Sequence, residues 1–161
     1  MQISPKRLAR MSVLAAVYAA LTVSLHPISY GVVQVRVAEA LTVLPFLTAD
    51  AIPALFVGVL VANLFGGFGL IDILLGSLAT LLAAVLTRRM PRRWLAPLPP
   101  VLINAAVVGG YLSFLTGAPL LPSMGWVGLG QVLACYGLGY PLLIYLEQRK
   151  GWSGGEDISG S

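Results

Sequence analysis

Long apolar segments, separated by short clusters of basic residues, dominate this sequence. Six of them approach the roughly 20 residues that a helix needs to cross a bilayer, and helices are predicted at about 8–29, 32–47, 48–65, 70–86, 101–116 and 124–146. Only 10% of the 161 residues are charged and 58% are hydrophobic, whereas a soluble domain carries about 25% charge. The pattern predicts an all-α membrane protein, a bundle of six transmembrane helices.

The basic residues indicate how this bundle is oriented. Nine of the ten Lys and Arg residues lie in three places, namely 6–10, 88–93 and 149–150. Six crossings put these places on one side, which the positive-inside rule makes cytoplasmic. We therefore predict a multi-pass protein of the cell membrane with both termini inside. Residues 1–150 form its single domain, and the Gly- and Ser-rich segment 151–161 is expected to be a disordered cytoplasmic tail.

Several function classes do not fit the sequence. There is no G-x-x-x-x-G-K-[ST] motif, so ATP is not hydrolysed by a phosphate-binding loop of this chain. There is no H-E-x-x-H motif, and one His with one Cys does not make a usual zinc site. The positive charges flank apolar segments and do not suggest a surface for nucleic acid. We expect no enzymatic activity, no metal, no cofactor and no nucleic-acid partner.

Polar side chains within the predicted helices gather toward one end of the bundle. Charged groups are costly in a membrane, so each requires a partner or a function. Arg36 and Glu39, three residues apart, share a face of the second helix, and Gln34 precedes them. The other candidates in the extracytoplasmic half are His26, Asn63, Asp72, Tyr111, Phe114, Trp126 and Gln131. This arrangement suits the capture of a small polar molecule from outside.

Structural roles are the alternative for several of these residues. Arg36 and Glu39 could neutralise each other, and Asp72 could interact with a helix dipole. His26 could be a satisfied polar residue, and Trp126 could belong to an interfacial aromatic belt. For two residues outside the site, Asn104 is expected to form an interhelical hydrogen bond and Asp50 to cap the third helix.

Two segments resemble the signature of the QueT family. They are YGVVQVRVAEAL at 30–41, followed by Leu44-Pro45, and GLIDILLGSLAT at 69–80, and the similarity extends from the first to the sixth helix. The resemblance implies a substrate-binding S-component of an energy-coupling factor (ECF) transporter. Such a subunit captures a queuosine precursor, a 7-deazaguanine such as the aminomethyl form, or queuine. Its implied partners are a transmembrane coupling subunit and two cytoplasmic ATPase subunits.

The chemistry of a 7-deazaguanine suggests roles for the candidate residues. A guanine-like edge offers adjacent N–H donors, which the carboxylate of Glu39 could accept in a charge-assisted pair. Arg36 or Gln34 could donate to the ring carbonyl, and Asp72 could neutralise an aminomethyl arm. Asn63 is expected to form hydrogen bonds with the remaining ring nitrogens. One aromatic side chain, Tyr111, Phe114 or Trp126, is expected to stack on the ring.

The resemblance also implies a contact surface on the first helix. S-components typically carry an A-x-x-x-A face there for the coupling subunit, and Ala15/Ala19 and Ala16/Ala20 both fit that spacing. Two alternative functions are an S-component for another vitamin-like substrate and a self-sufficient ion-coupled carrier. A carrier would need a relay of charged groups across the bilayer, yet the inner halves of the predicted helices have almost no ionisable residues.

Overall fold

The computed structural model describes residues 4–29 and 35–149, and within these ranges all regular structure is helical. The six main helices are α1 Pro5–Ser24, α2 Val37–Phe46, α3 Ala51–Leu64, α4 Gly69–Arg88, α5 Leu98–Thr116 and α6 Leu120–Gln148. Single helical turns at His26–Ser29 and Arg93–Leu95 precede α2 and α5. Four segments, which contain α1, α4, α5 and α6, are long and apolar enough to cross a membrane. The chain is therefore a helical membrane protein, while its six crossings stay a prediction. Gln34, Lys150 and the predicted tail lie outside the described residues.

The short helix α2 is central to the packing. It contacts α1, α3, α4 and α6, and seven of its ten residues are buried. It is a 3₁₀ helix, which rises about 2 Å per residue and so spans more length than an α-helix of ten residues. Its first turn carries Glu39 into the bundle, directly after Arg36. The polar start that made this segment a poor transmembrane helix in the sequence thus points into the protein.

Prolines explain two differences between the predicted and observed helix starts. The helix α5 begins at Leu98, three residues before the predicted start, and Pro99 and Pro100 lie in its first turn. The helix α6 likewise begins at Leu120, four residues early, with Pro122 in its first turn. Proline is tolerated there because the first backbone N–H groups of a helix have no intrahelical partner.

The prediction that Asp50 caps α3 was wrong. Asp50 precedes the helix, but its side chain makes no capping hydrogen bond. Its carboxylate instead accepts a hydrogen bond of 2.6 Å from Nε of Arg7, which ties the start of α1 to the start of α3. A basic residue in the first turn of α1 therefore holds the carboxylate that was expected to bond to the backbone N–H groups of α3.

Other basic residues make contacts at the same end of the bundle as this ion pair. Arg88 Nη1, at the end of α4, donates to the carbonyl oxygen of Phe46 at 3.0 Å. Arg93, just beyond, lies 3.6 Å from the carboxylate of Glu147 near the end of α6. The basic clusters at 6–10 and 88–93 and the end of α6 thus meet at one end of the fold.

The contact between α5 and α6 leads to a stability prediction. A Cβ atom on Gly109 would lie 2.6 Å from Cα of Met124, whereas one on Gly110 would meet no atom within 4 Å. We expect Gly109→Ala to destabilise the fold by about 1–3 kcal/mol through overpacking. Gly110→Ala should be neutral or slightly stabilising, because alanine favours helix. Melting of both purified variants in detergent checks this, and equal melting temperatures would contradict the close approach of the two helices.

Candidate functional site

A cluster of polar side chains is sealed inside the bundle, toward the end where α3 stops and α4 begins. Its two carboxylates and its one guanidinium are almost fully buried: Glu39 is 1% exposed, Asp72 0% and Arg36 4%. The side chains of this polar cluster come from α1 to α5 and from the residue that precedes α2. They are Tyr18, Arg36, Glu39, Asn63, Asp72, Asn104 and Tyr111. Its location is opposite the basic end of the fold.

The first half of the polar cluster is a ring of contacts around Asp72. Tyr111 donates its hydroxyl proton to Oδ1 of Asp72, and Nη2 of Arg36 lies 3.7 Å from the same oxygen. Arg36 Nη1 donates to Oδ1 of Asn63 at 3.0 Å, and Nδ2 of Asn63 donates to the backbone oxygen of Asp72 at 2.9 Å. Both ends of the Asn63 amide are therefore engaged, and this side chain fixes the positions of Arg36 and Asp72.

A glycine on α4 makes room for this ring. The helix has a wide π-helical turn over Asp72–Gly76, a distortion that is common at functional sites. A Cβ atom on Gly76 would lie 2.8 Å from Nδ2 of Asn63 and 3.3 Å from the hydroxyl of Tyr111. Any larger residue at this position would displace the side chains that hold Asp72. Gly76 was not predicted as a residue of the site.

The second half of the polar cluster surrounds Glu39. The hydroxyl of Tyr18 donates to Oε1 at 2.5 Å, and Nδ2 of Asn104 donates to Oε2 at 3.3 Å. Both donors are uncharged. Arg36 acts electrostatically on both carboxylates, but its ion pair is with Asp72. Each oxygen of the Glu39 carboxylate keeps a lone pair for one further donor.

Two members of the polar cluster were not predicted as site residues, although the sequence contains signals for both. Tyr18 belongs to a stripe at spacing four on α1, and the hydroxyl of Thr22, the next residue in that stripe, donates to the Tyr18 carbonyl. Asn104 lies seven residues before Tyr111, which places both on one face of α5. The predicted interhelical hydrogen bond of Asn104 is confirmed, and its acceptor is Glu39.

The polar cluster contains acceptors that have no hydrogen-bond partner among the described residues. They are Oδ2 of Asp72 and Oδ1 of Asn104, both buried. Buried polar atoms in folded proteins nearly always have a partner, so each such atom requires an explanation. Together with the spare lone pairs of Glu39, they make this a site that suits a ligand rich in N–H donors.

One further predicted residue lies beside the polar cluster. Gln131, on α6, is 4% exposed and accepts a weak contact of 3.5 Å from Sγ of Cys135. The same sulfur lies 3.4 Å from the backbone oxygen of Glu39. Gln131 is thus linked to the Glu39 half through Cys135 and α2.

The remaining predicted residues of the binding site are placed at the surface. Trp126 is 47% exposed and Phe114 is 83% exposed, so their rings do not stack within the buried cluster. His26 is also exposed, in the turn that follows α1. Tyr111 is the predicted aromatic residue that the structure brings into the cluster.

The two alanine pairs predicted as a coupling face on α1 differ in exposure. Ala15 and Ala19 are half-buried, whereas Ala16 and Ala20 are exposed. A Cβ atom on Gly58 would lie 2.9 Å from the backbone oxygen of Ala15, so α1 approaches α3 closely at that residue. Ala15 and Ala19 are therefore partly covered within the chain, and Ala16 and Ala20 are not.

The fold and the polar cluster define a helical membrane protein with a charged, hydrogen-bonded interior, a class that includes many transporters. A family model described as QueT transporter matches residues 8–148. The chain belongs to the QueT transporter family, as the two sequence segments indicated. No curated protein and no solved structure matched the chain in the same comparisons.

Proposed function

We propose that this chain is the substrate-capture subunit, or S-component, of an ATP-driven ECF importer, and that it binds a 7-deazaguanine precursor of queuosine from outside the cell. Membership of a transporter family supports a substrate site, and the polar cluster is the group of buried residues best suited to form it. The observation that carries the proposal is the surplus of buried acceptors on Glu39, Asp72 and Asn104. A 7-deazaguanine supplies ring N–H groups and an exocyclic amine to meet them.

The contacts within the polar cluster suggest which of its residues bind the ligand and which hold the others in position. Glu39, Asp72 Oδ2 and Asn104 Oδ1 receive the donors of the ligand. Asn63, whose amide is fully used, holds Arg36 and Asp72 in place. The ring of Tyr111 borders the site and could stack on the ligand, a contact worth about 1–3 kcal/mol by analogy with nucleobases.

The proposed topology places this site on the outer side. With α2 and α3 as the second and third of six crossings, both termini and the basic segment 88–93 lie in the cytoplasm. The α3 helix has 14 residues and spans about 21 Å, less than the roughly 30 Å hydrocarbon core. The helix α2 is largely covered by its neighbours, with seven of its ten residues buried, so its length need not match the thickness of the hydrocarbon core. ATP hydrolysis would occur on partner ATPase subunits.

The exposure of the alanine pairs on α1 favours one of them as the proposed coupling face. Ala16 and Ala20 are exposed, as is Ser12 one turn earlier. Three small residues at spacing four thus leave this face open to the close approach of a partner helix. Ala15 and Ala19 are half-buried, which leaves less of their surface for a partner. We therefore assign the coupling-subunit contact to Ala16 and Ala20.

Ligand binding by the purified chain, without partners, tests the proposed function. We expect aminomethyl-7-deazaguanine to raise the melting temperature, because a ligand that binds only the folded state stabilises it by about 2.7 kcal/mol at 100 times its Kd. Adenine, which has a different hydrogen-bonding edge, is the matched control and should give no shift. Absence of a shift with every 7-deazaguanine tested would contradict the proposal.

A further inference from the structure

Counted by formal charge, the polar cluster has one more carboxylate than it has cations. Among the described residues, the charged side chains that are buried are Arg36, Glu39 and Asp72, which is one cation for two anions. The segment 30–34 adds no Lys, Arg, His, Asp or Glu. A buried charge without a counter-ion is costly, and the cost is greatest in a membrane.

The excess charge lies on the Glu39 half of the polar cluster. Asp72 has the guanidinium of Arg36 at 3.7 Å and the hydroxyl of Tyr111. Glu39 has two hydrogen bonds from neutral groups, Tyr18 and Asn104. The Oδ1 atom of Asn104 is buried without a partner, in the same amide whose Nδ2 contacts Glu39. A carboxylate and a carbonyl oxygen therefore stand together at this end, which is the environment that an ammonium group requires.

Resting on the proposed function, we propose that the site selects 7-deazaguanines with a positively charged amine on the 7-substituent, and that Glu39 and Asn104 Oδ1 receive this amine. A guanine-like edge, suggested for Glu39 from its chemistry alone, brings donors but no charge and leaves the excess in place. An ammonium group brings both. Neutral relatives, such as a nitrile or a hydroxymethyl compound, leave Glu39 uncompensated.

The test compares two ligands of nearly equal size, aminomethyl- and hydroxymethyl-7-deazaguanine, by titration calorimetry on the purified chain. The wild type should bind the amine at least about tenfold more tightly, because a hydrogen bond between charged groups is stronger than a neutral one. Glu39→Gln should reduce this preference to less than about threefold, since the excess charge is gone. Glu147→Gln, which removes an exposed carboxylate at the basic end of the fold, is the matched control, and it should keep the preference.

Each outcome of this comparison has a definite meaning. Equal binding of both ligands to the wild type would overturn the inference and leave the proposed function standing. A preference that survives Glu39→Gln and disappears in Asp72→Asn would also overturn it, by placing the amine at Asp72. If neither these two ligands nor any other 7-deazaguanine binds, the proposed function fails and the inference with it. If Glu39→Gln does not fold, the wild-type comparison alone decides.

Discussion

Arg36→Met is expected to destabilise the fold by about 3–5 kcal/mol, the cost of leaving a buried charge without its partner. Methionine preserves most of the side-chain length, but it cannot donate to Asn63 or face Asp72, which Arg36 does at 3.0 and 3.7 Å. Two buried carboxylates would then have no cation between them. The measurement is thermal melting of the purified variant in detergent.

A second substitution separates this charge effect from lost packing. Arg36→Met combined with Asp72→Asn should recover a large part of the stability, because the carboxylate that lost its ion pair is then replaced by a neutral amide. Arg92→Met, which changes an exposed arginine in the same way, should melt like the wild type. A single variant Arg36→Met with wild-type stability, or a double variant as unstable as the single one, would show that the ion pair does not hold the polar cluster together.

Ala16→Leu with Ala20→Leu is expected to abolish uptake while ligand binding to the purified chain stays unchanged. Both alanines are exposed on α1, and small residues allow helices in lipid to approach closely. Two leucines would hold a partner helix away from this face without touching the polar cluster. Uptake of labelled substrate by cells that contain the whole transporter gives the first result, and titration of the purified variant gives the second.

The control for this pair must introduce leucine at an exposed small residue outside the proposed coupling face. Gly125 is a small exposed residue on α6, and a Cβ atom there would meet nothing within 4 Å. Gly125→Leu should therefore leave uptake intact. Normal uptake by the Ala16/Ala20 variant would remove this face from the coupling surface, and loss of binding would show that the change damages the fold itself.

The long helices could be predicted from the sequence because their signal is local. Four apolar segments, with α1, α4, α5 and α6, appear where hydropathy and basic flanks place them. Helix starts were less accurate, since prolines such as Pro99 and Pro122 look like loop residues in a sequence but fit the first turn of a helix. The 3₁₀ form of α2 was not predicted, and the four helices that bury this segment are distant from it in the sequence or follow it.

The residues of the polar cluster could be predicted better than their pairing. Arg36, Glu39, Asn63, Asp72 and Tyr111 stand out as polar groups in apolar segments, and the structure brings them together. Spacing suggested that Arg36 and Glu39 pair along one helix. The three-dimensional arrangement instead gives Arg36 an ion pair with Asp72 and gives Glu39 two neutral donors, because partners on other helices are far away in sequence.

The central claim is that the polar cluster faces the outside of the cell and the basic end faces the cytoplasm, and the most direct measurement is cysteine labelling from one side. Arg92 and Ala118 are exposed beyond opposite ends of α5, and Cys135→Ser removes the one native thiol. In intact cells, a membrane-impermeant maleimide should label Ala118→Cys, and it should label Arg92→Cys only after permeabilisation. Labelling of Arg92→Cys in intact cells, with Ala118→Cys protected, would put the polar cluster on the cytoplasmic side and contradict capture from outside.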